Sequence, residues 1–511
     1  MTNTSANNKR IAKNTIALYF RMIITMIVGL FTSRVILDSL GVQDYGIYNL
    51  VGGFVTMFNV FRAGLISATQ RFITFDLGKG DIKELRGTFS TSLIIFLCIS
   101  ALIVILAEAI APWFITNKLT IPEDRITAAM WVFQFSLFTL VLNLISSPYN
   151  ALIIAHEKMK TFAYISIFEV VAKLIIAYVI YVSPFDKLIV YGFLLCLVQF
   201  VVRLIYTSYC NKKFAESKIL WNIDWPKVRK IYAFTGWEFI GATAVIGANQ
   251  GLNVLLGMFF NPVVNAARGV AEQVQHVITG FVTNFQTALN PQITKSYASD
   301  NKGYMFKLIF ASSRLSYFLL FFFSLPVVLE TDILLNLWLV EVPEYTVPFF
   351  RIIIVCSMID AISNPISTSV EATGNIRNFQ MVVGLTRLMI IPITYSVLKL
   401  GGSPIAAFIV LLSINILAII ERIVVGSKTV GFSSFSFVKD VIAKVVSVSL
   451  LASVLPFCIH YFMTESLLRL LIVGFVSCIT TGLSIYFVGL SNSERELILE
   501  PIIRKFKKYD I

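Results

Sequence analysis

Residues 89–115 read FSTSLIIFLCISALIVILAEAIAPWFI, a run with one charged side chain, Glu108. An α-helix rises about 1.5 Å per residue, so about 20 apolar residues cross a hydrocarbon core about 30 Å thick. This run is long enough to cross with tilt. A membrane β-strand would be shorter and would alternate polar with apolar positions, and no such alternation is present. The run predicts a transmembrane helix. The same reading, carried outward in both directions, gives fourteen runs: 14–38, 46–68, 89–115, 126–149, 160–183, 187–210, 231–259, 265–290, 308–329, 346–370, 376–399, 403–427, 441–463 and 466–490. The number falls to twelve or thirteen if the last pair only dips into the bilayer. The first run, which contains Arg21, is read as a retained span; no small-residue cleavage site follows a short apolar core.

Composition agrees. Of 511 residues 57% are hydrophobic and 14% are charged, against roughly 25% charged in a soluble domain. Mean hydropathy is +0.80. A soluble surface cannot be built from so few charges, and a disordered chain is excluded by the same figures. The six cysteines are too sparse for a disulfide scaffold and form no CxxC pair. The formal charge of +13 is read as cytoplasmic loop charge and not as a nucleic-acid surface. With the N-terminus in the cytoplasm, 27 Lys and Arg fall inside and five fall outside: Lys118, Arg125, Lys187, Lys399 and Arg469. Arg422, near the inner end of its run, is counted inside. That bias predicts an even number of spans with both termini cytoplasmic; the expected location is the cell inner (plasma) membrane.

The expected fold class is therefore an all-α polytopic membrane protein of about 14 transmembrane helices. Residues 1–210 form a first six-helix lobe and 211–230 a basic cytoplasmic linker. Residues 231–427 form a second six-helix lobe, and 428–490 add two helices. Residues 491–511 make a basic tail, with Leu499, Ile502, Ile503 and Phe506 at helical spacing among Arg504, Lys505, Lys507 and Lys508. This pattern fits an amphipathic helix on the inner leaflet or an unstructured basic segment. Leu40–Tyr48 and Phe260–Arg268 occupy corresponding turns of the two lobes, a weak internal similarity of the kind that transporter repeats show.

Charges inside the spans carry the functional signal. Seven basic residues are not at span ends: Arg21, Arg34, Arg62, Lys173, Arg203, Arg268 and Arg387. Each charge at the bilayer centre costs at least about 2.5–3.5 kcal/mol unless it is paired or wet. Arg314, Arg351 and Lys444 lie near span ends and can snorkel. Asp38, Glu169, Glu272 and Asp360 are candidate coupling or charge-pair acids. Arg34–Asp38, Glu169–Lys173 and Arg268–Glu272 are four apart, a spacing that suits helix ion pairs and serves a structural seam equally well. Arg387 has no acid within four residues, so its partner lies elsewhere in the fold or is a ligand. Lys173 and Arg387 occupy corresponding depths of spans 5 and 11. Excess cations in a wet cleft suit an anionic cargo, and Arg is the best bidentate phosphate ligand. Pro392, and Pro365 after Asn364, each free a carbonyl and predict a kink. No P-loop, HExxH, GxSxG or Cys/His metal spacing is present, so neither cofactor nor metal is expected. The histidines, His156, His276 and His460, are read as loop or packing residues.

The stretch Ser33–Tyr48, with its core Leu40, Gly41, Asp44, Tyr45, Gly46 and Tyr48, resembles the first-turn signature of Wzx-type polysaccharide flippases, which belong to the multidrug/oligosaccharidyl-lipid/polysaccharide exporter superfamily. Asn265-Ala266-Ala267-Arg268-Gly269-Val270 is similar to the matching turn of the second lobe. The resemblance implies two six-helix lobes around a central cavity plus two extra helices. It also implies flipping of a lipid-linked anionic oligosaccharide, carried on undecaprenyl pyrophosphate, to the outer leaflet for lipopolysaccharide or other surface polysaccharide. Membrane lipids, a polysaccharide polymerase and glycosyltransferases would be its partners. A negative interior favours outward movement of the anion by about 2.3 kcal/mol per charge per 100 mV. A lipid II-type flippase and a cation-coupled multidrug exporter of the same fold are the near alternatives. A membrane-embedded polysaccharide polymerase, the rival from the enzymes, would need a catalytic outer loop, and 330–345 is short. The expectation is a transporter and not an enzyme.

Overall fold

The apolar runs, wherever they are described, lie on helix within a few residues at their ends in the computed structural model, which describes residues 2–56, 59–117, 121–219, 225–260, 262–339, 342–491 and 494–495. The expected tail helix over 491–511 lies almost wholly outside the described residues. The helices are α1 (Thr2–Thr56), α2 (Asn59–Lys79), α3 (Ile82–Asn117), α4 (Ile126–Ala155), α5 (Met159–Tyr181), α6 (Lys187–Lys213), α7 (Trp225–Phe259), α8 (Pro262–Ala298) and α9 (Lys302–Leu329). After these come α10 (Thr331–Trp338), α11 (Thr346–Thr373), α12 (Arg377–Leu388), α13 (Ile390–Lys399), α14 (Pro404–Val430), α15 (Ser434–Phe437), α16 (Ala443–Phe462) and α17 (Leu467–Ser484).

Among the described residues, 12 helical segments are long and apolar enough to cross a membrane. The chain is an all-α multi-pass membrane protein. The two expected runs not among them are 46–68, which crosses residues outside the described ones, and 265–290, which lies on α8. That helix carries Arg268, Glu272, His276, Lys295 and a row of amides, and it has no sufficiently apolar window.

Local chemistry sets the helix ends. The Asp186 carboxylate accepts from the Leu188 and Ile189 N–H groups and caps α6. Pro404 opens α14 and Gly431, at φ 95°, closes it. Within α1, Gly41 has φ 77° and ψ 166°, and the helix bends there. Only glycine adopts that backbone conformation freely. The expected kink at Pro392 interrupts the helix at the single residue Met389, between the end of α12 at Leu388 and the start of α13 at Ile390. Pro365, in contrast, sits inside an unbroken α11.

The chain divides into two compact units. The first comprises Met1–Thr243 and Thr287–Asn301, and the second Ala244–Gln286 and Lys302–Ile511. In the first, α1 packs on α5, α4 on α6, and α2 and α3 on α4. Its core places Phe89 edge-on to Tyr149 at 5.0 Å between ring centroids, beside Leu152, Ile153 and Val202. In the second, α11 packs on α9 and α14, and the fully buried Phe349 and Phe408 stack at 3.9 Å. Lipid tails are as apolar as leucine, so such fits hold helices together by close packing and hydrogen bonds, not by exclusion of water.

Within the second unit the last helices are fastened to α9. Glu330, fully buried at the end of α9, accepts from Arg469 Nη2 at 2.9 Å and from Arg469 Nε at 3.1 Å, and pairs with His460 Nδ1 at 2.9 Å. Arg314 was expected to snorkel. Instead it is buried, donating to Glu494 Oε1 at 2.9 Å and to the Asp440 carbonyl at 3.1 Å.

Candidate functional site

Six helices line one cavity of about 350 Å³ in the second unit, α13 through Ile390 alone. Helix α7 contributes Val245, Ala248, Asn249 and Leu252, and α8 contributes Arg268, Glu272, Gln275 and His276. Helix α11 contributes Ile353, Cys356, Ser357 and Asp360. Arg387 comes from α12, and Phe408, Leu411 and Asn415 come from α14. The i, i+3, i+4 recurrence explains how single helices expose several of these groups together. The interruption at Met389 leaves Arg387 on the last turn of α12.

The charges are arranged as two sets. Arg268 Nε donates to Glu272 Oε1 at 2.7 Å, the pair expected from spacing. Arg387 Nη2 donates to Asp360 Oδ1 at 2.6 Å, and Arg422 Nη1 reaches the same oxygen at 3.0 Å and Ser363 Oγ at 2.5 Å. The partner of Arg387 is thus an acid 27 positions earlier, on another helix. Arg422 is buried within α14 and belongs to this ion-pair set, not to a loop. In each set the acid is the more open member: Glu272 is 39% exposed against 6% for Arg268, and Asp360 is 35% exposed against 13% for Arg387. Arg268 Nη1 and Arg387 Nε are buried without a hydrogen-bond partner among the described residues. Gln275 Nε2 donates to Ser357 Oγ at 2.8 Å and bridges α8 to α11.

The remaining candidates of the sequence reading sit in the first unit, each with neighbours of that unit. Lys173 Nζ donates to Glu169 Oε1 at 2.7 Å. Arg203 Nη1 donates to Thr207 Oγ1 at 2.7 Å and the guanidinium lies over the Tyr149 ring at 4.4 Å. Arg21 lies over Phe162 at 4.7 Å. Asp38 is exposed. The side chains of Arg34 and Arg62 lie outside the described residues. The structure therefore brings Arg268, Glu272, Asp360 and Arg387 together, and Arg422 joins them.

Two further clusters escaped the sequence reading. Asp44 of the Leu40–Tyr48 core accepts from Arg125 Nε at 2.9 Å and Nη2 at 2.5 Å, and Arg125 Nη1 donates to Asp186 at 2.6 Å. In the first unit, Glu157 is fully buried at φ 57°. Its carboxylate accepts from Arg10 Nε at 2.7 Å, Lys295 Nζ at 2.6 Å and Gln292 Nε2 at 2.7 Å. The one sequence signal for the first cluster was the motif itself. The second had none, since its members come from three distant segments. Among the described residues no group of His, Cys, Asp and Glu could hold a metal ion.

The family model MatE matches residues 16–179. No curated protein matches the chain. Among solved structures, a MATE transporter in the straight conformation superposes with a TM-score of 0.72 at 13% identity, covering 83% of this chain and 96% of that one. An outward-facing multidrug resistance MATE family transporter of the MOP superfamily gives 0.70 at 14% identity, covering 82% and 96%. The MATE transporter ClbM in complex with Rb+ gives 0.70 at 15% identity, covering 84% and 96%. The chain has the MATE transporter fold.

Proposed function

We propose that the chain is a transporter, not an enzyme, that moves a polyprenyl-pyrophosphate-linked oligosaccharide from the cytoplasmic to the outer leaflet by alternating access. The observation that carries this reading is the polar cavity of the second unit. It lies among apolar helices, yet ion pairs and amides line it, a lining suited to a hydroxyl-rich cargo. The MatE match over residues 16–179 and the fold support transport. The Leu40–Tyr48 core supports the polysaccharide branch, and its residues have structural tasks: Gly41 bends α1, and Asp44 holds Arg125.

In this reading fourteen segments cross the inner membrane with both termini in the cytoplasm. Residues 1–210 and 231–427 form the lobes, 211–230 the basic linker, 428–490 two added helices and 491–511 the tail. Of the span cations, Arg21, Arg34, Arg62, Lys173 and Arg203 supply the field for the pyrophosphate, while Arg268 and Arg387, each ion-paired, line the cavity that takes another part of the cargo. Arg203 is engaged by a hydroxyl and a ring, so its charge is available to an anion. Polymerase and glycosyltransferases act beside it as partners.

Flipping in proteoliposomes tests the reading. With the protein, a fluorescent undecaprenyl-pyrophosphate oligosaccharide should become accessible to an external glycosidase at least tenfold faster than in protein-free vesicles. Equal rates overturn it. Faster flipping of lipid II than of the oligosaccharide would assign the chain to the lipid II alternative. A second reading, a cation-coupled exporter of small molecules, is favoured by the open carboxylates of Glu272 and Asp360 and by the Rb+ complex of ClbM. Drug tolerance of cells with and without the protein separates the two.

A further inference from the structure

We propose that the cavity of the second unit is a sugar-ring site, taking uncharged hydroxyls and not the cargo's anionic group. This rests on the reading that the cargo carries sugars and names the part of it that the cavity accepts.

The charge balance is the first argument. The formal charges lining the cavity are Arg268 and Arg387 against Glu272 and Asp360, and they cancel. Arg422, buried behind Asp360 on the same carboxylate oxygen, brings the whole set to three guanidiniums against two carboxylates, but it does not line the cavity. The orientation is the second argument. The carboxylates are the open members of both pairs and the guanidiniums the buried ones. A phosphate entering this space would meet two carboxylates first, and like charges at close range repel strongly where water is scarce. A free cation would compete with guanidiniums already in place at 2.6–2.7 Å.

The donors and acceptors that remain are what a hydroxyl-bearing ring uses. Arg268 Nη1 and Arg387 Nε are buried donors without partners among the described residues, and such donors are costly to leave unmet. The outer oxygens of Glu272 and Asp360 accept. Asn249 is exposed at the rim and can do both. Hydroxyl groups donate and accept, so one ring answers both needs. The volume of about 350 Å³ is within the range of small-molecule pockets, roughly 300–1,000 Å³, and admits a sugar ring. Phe408 and Leu252 give it an apolar wall for the C–H face of a ring.

The test is ligand binding to the full-length protein in detergent. The probes are methyl glycosides of the common hexoses and N-acetylhexosamines, sodium pyrophosphate and rubidium chloride, with saturation-transfer NMR and calorimetry as readouts. At least one glycoside should bind saturably, Asp360→Asn and Asn249→Ala should each weaken it at least tenfold, and excess pyrophosphate should leave it unchanged. Asn249 is a rim residue, so its variant keeps the test open if Asp360→Asn fails to fold. Absence of binding by every glycoside, displacement by pyrophosphate, or saturable binding of rubidium alone would each overturn the proposal. Binding is read without transport: glycoside binding with no flipping would sink the function reading and keep the site, and flipping without glycoside binding would do the reverse.

Discussion

Gln286 Nε2 on α8 donates to the Ala361 carbonyl on α11 at 3.1 Å, and Ala361 is the residue four before Pro365. Proline has no N–H, so its helix leaves that carbonyl unmet. The Gln286 side chain supplies the missing donor, also donates to Ser316 Oγ at 3.0 Å, and accepts from Asn364 Nδ2 at 3.4 Å. This is why α11 runs unbroken through Pro365. Replacing Gln286 by Leu should destabilise the protein by about 0.6–1.7 kcal/mol, the range for hydrogen bonds between membrane helices. In a Pro365→Ala background the restored N–H satisfies Ala361, and the cost of Gln286→Leu should shrink. Thermal unfolding of the four proteins of this cycle measures the coupling. Strict additivity would show that the bond does not cap the carbonyl.

Glu157 is the anionic hub of the first unit, with Arg10, Lys295 and Gln292 around it. Glu157→Gln should cost about 3 kcal/mol, the low end for a broken buried pair, because Arg10 is half exposed. Adding Lys295→Met to Glu157→Gln should recover much of that loss, since it removes the stranded cation. Chemical unfolding of the two variants is the measurement, and an equal loss in both would show that the charge itself is not what holds the cluster.

Acid stability should report on Glu216, which lies just beyond α6. Burial pushes this carboxyl up, but the hydrogen bond with His156, the Glu216 N–H and the nearby imidazole outweigh it, and the net shift is below the ordinary value of 4.5. A depressed folded value means that its contribution is fully present above about 4.5 and is lost as pH falls through the lower folded value. Melting temperature between pH 6 and pH 3 should therefore fall more steeply in the native protein than in Glu216→Gln. Parallel curves would remove this pair from the acid response.

The bend at Gly41 makes a backbone prediction. Alanine at φ 77° and ψ 166° is strained by about 1–3 kcal/mol, so Gly41→Ala should lower stability by that amount or straighten α1. Hydrogen exchange at residues 38–48 distinguishes the two. Straightening would also slacken the Asp44–Arg125 pair and raise exchange near Asp186, which the same arginine holds.

Much of the fold can be read from hydropathy because membrane helices are apolar over a fixed length. Hydropathy marks α8 only weakly, because charged side chains and amides take up positions that lipid would otherwise require to be apolar. Within one helix, charge spacing also carries information: Glu169–Lys173 and Arg268–Glu272 are each four apart and each closed at 2.7 Å. Spacing is silent between helices. Asp360 and Arg387 meet through tertiary packing, and so do Arg10, Glu157 and Lys295. Arg422 misled because an arginine near a helix end has two outcomes, snorkelling to water or turning inward to an acid, and only the packed neighbours decide. The same ambiguity governed Arg314, whose acid is Glu494.

The fastening of α9 to the closing pair of helices has a consequence for how this architecture can be shortened or recombined. Glu330 is fully buried beneath Arg469 and His460, and the Tyr317 hydroxyl lies 2.7 Å from Ser449 Oγ. Cutting the chain after α14 would strip a buried carboxylate of Arg469 and of its hydrogen-bonding partner His460, and a phenol of its partner. A viable twelve-helix derivative would therefore need a compensating change at Glu330 from the outset, so these last helices cannot be gained or lost as a detachable module.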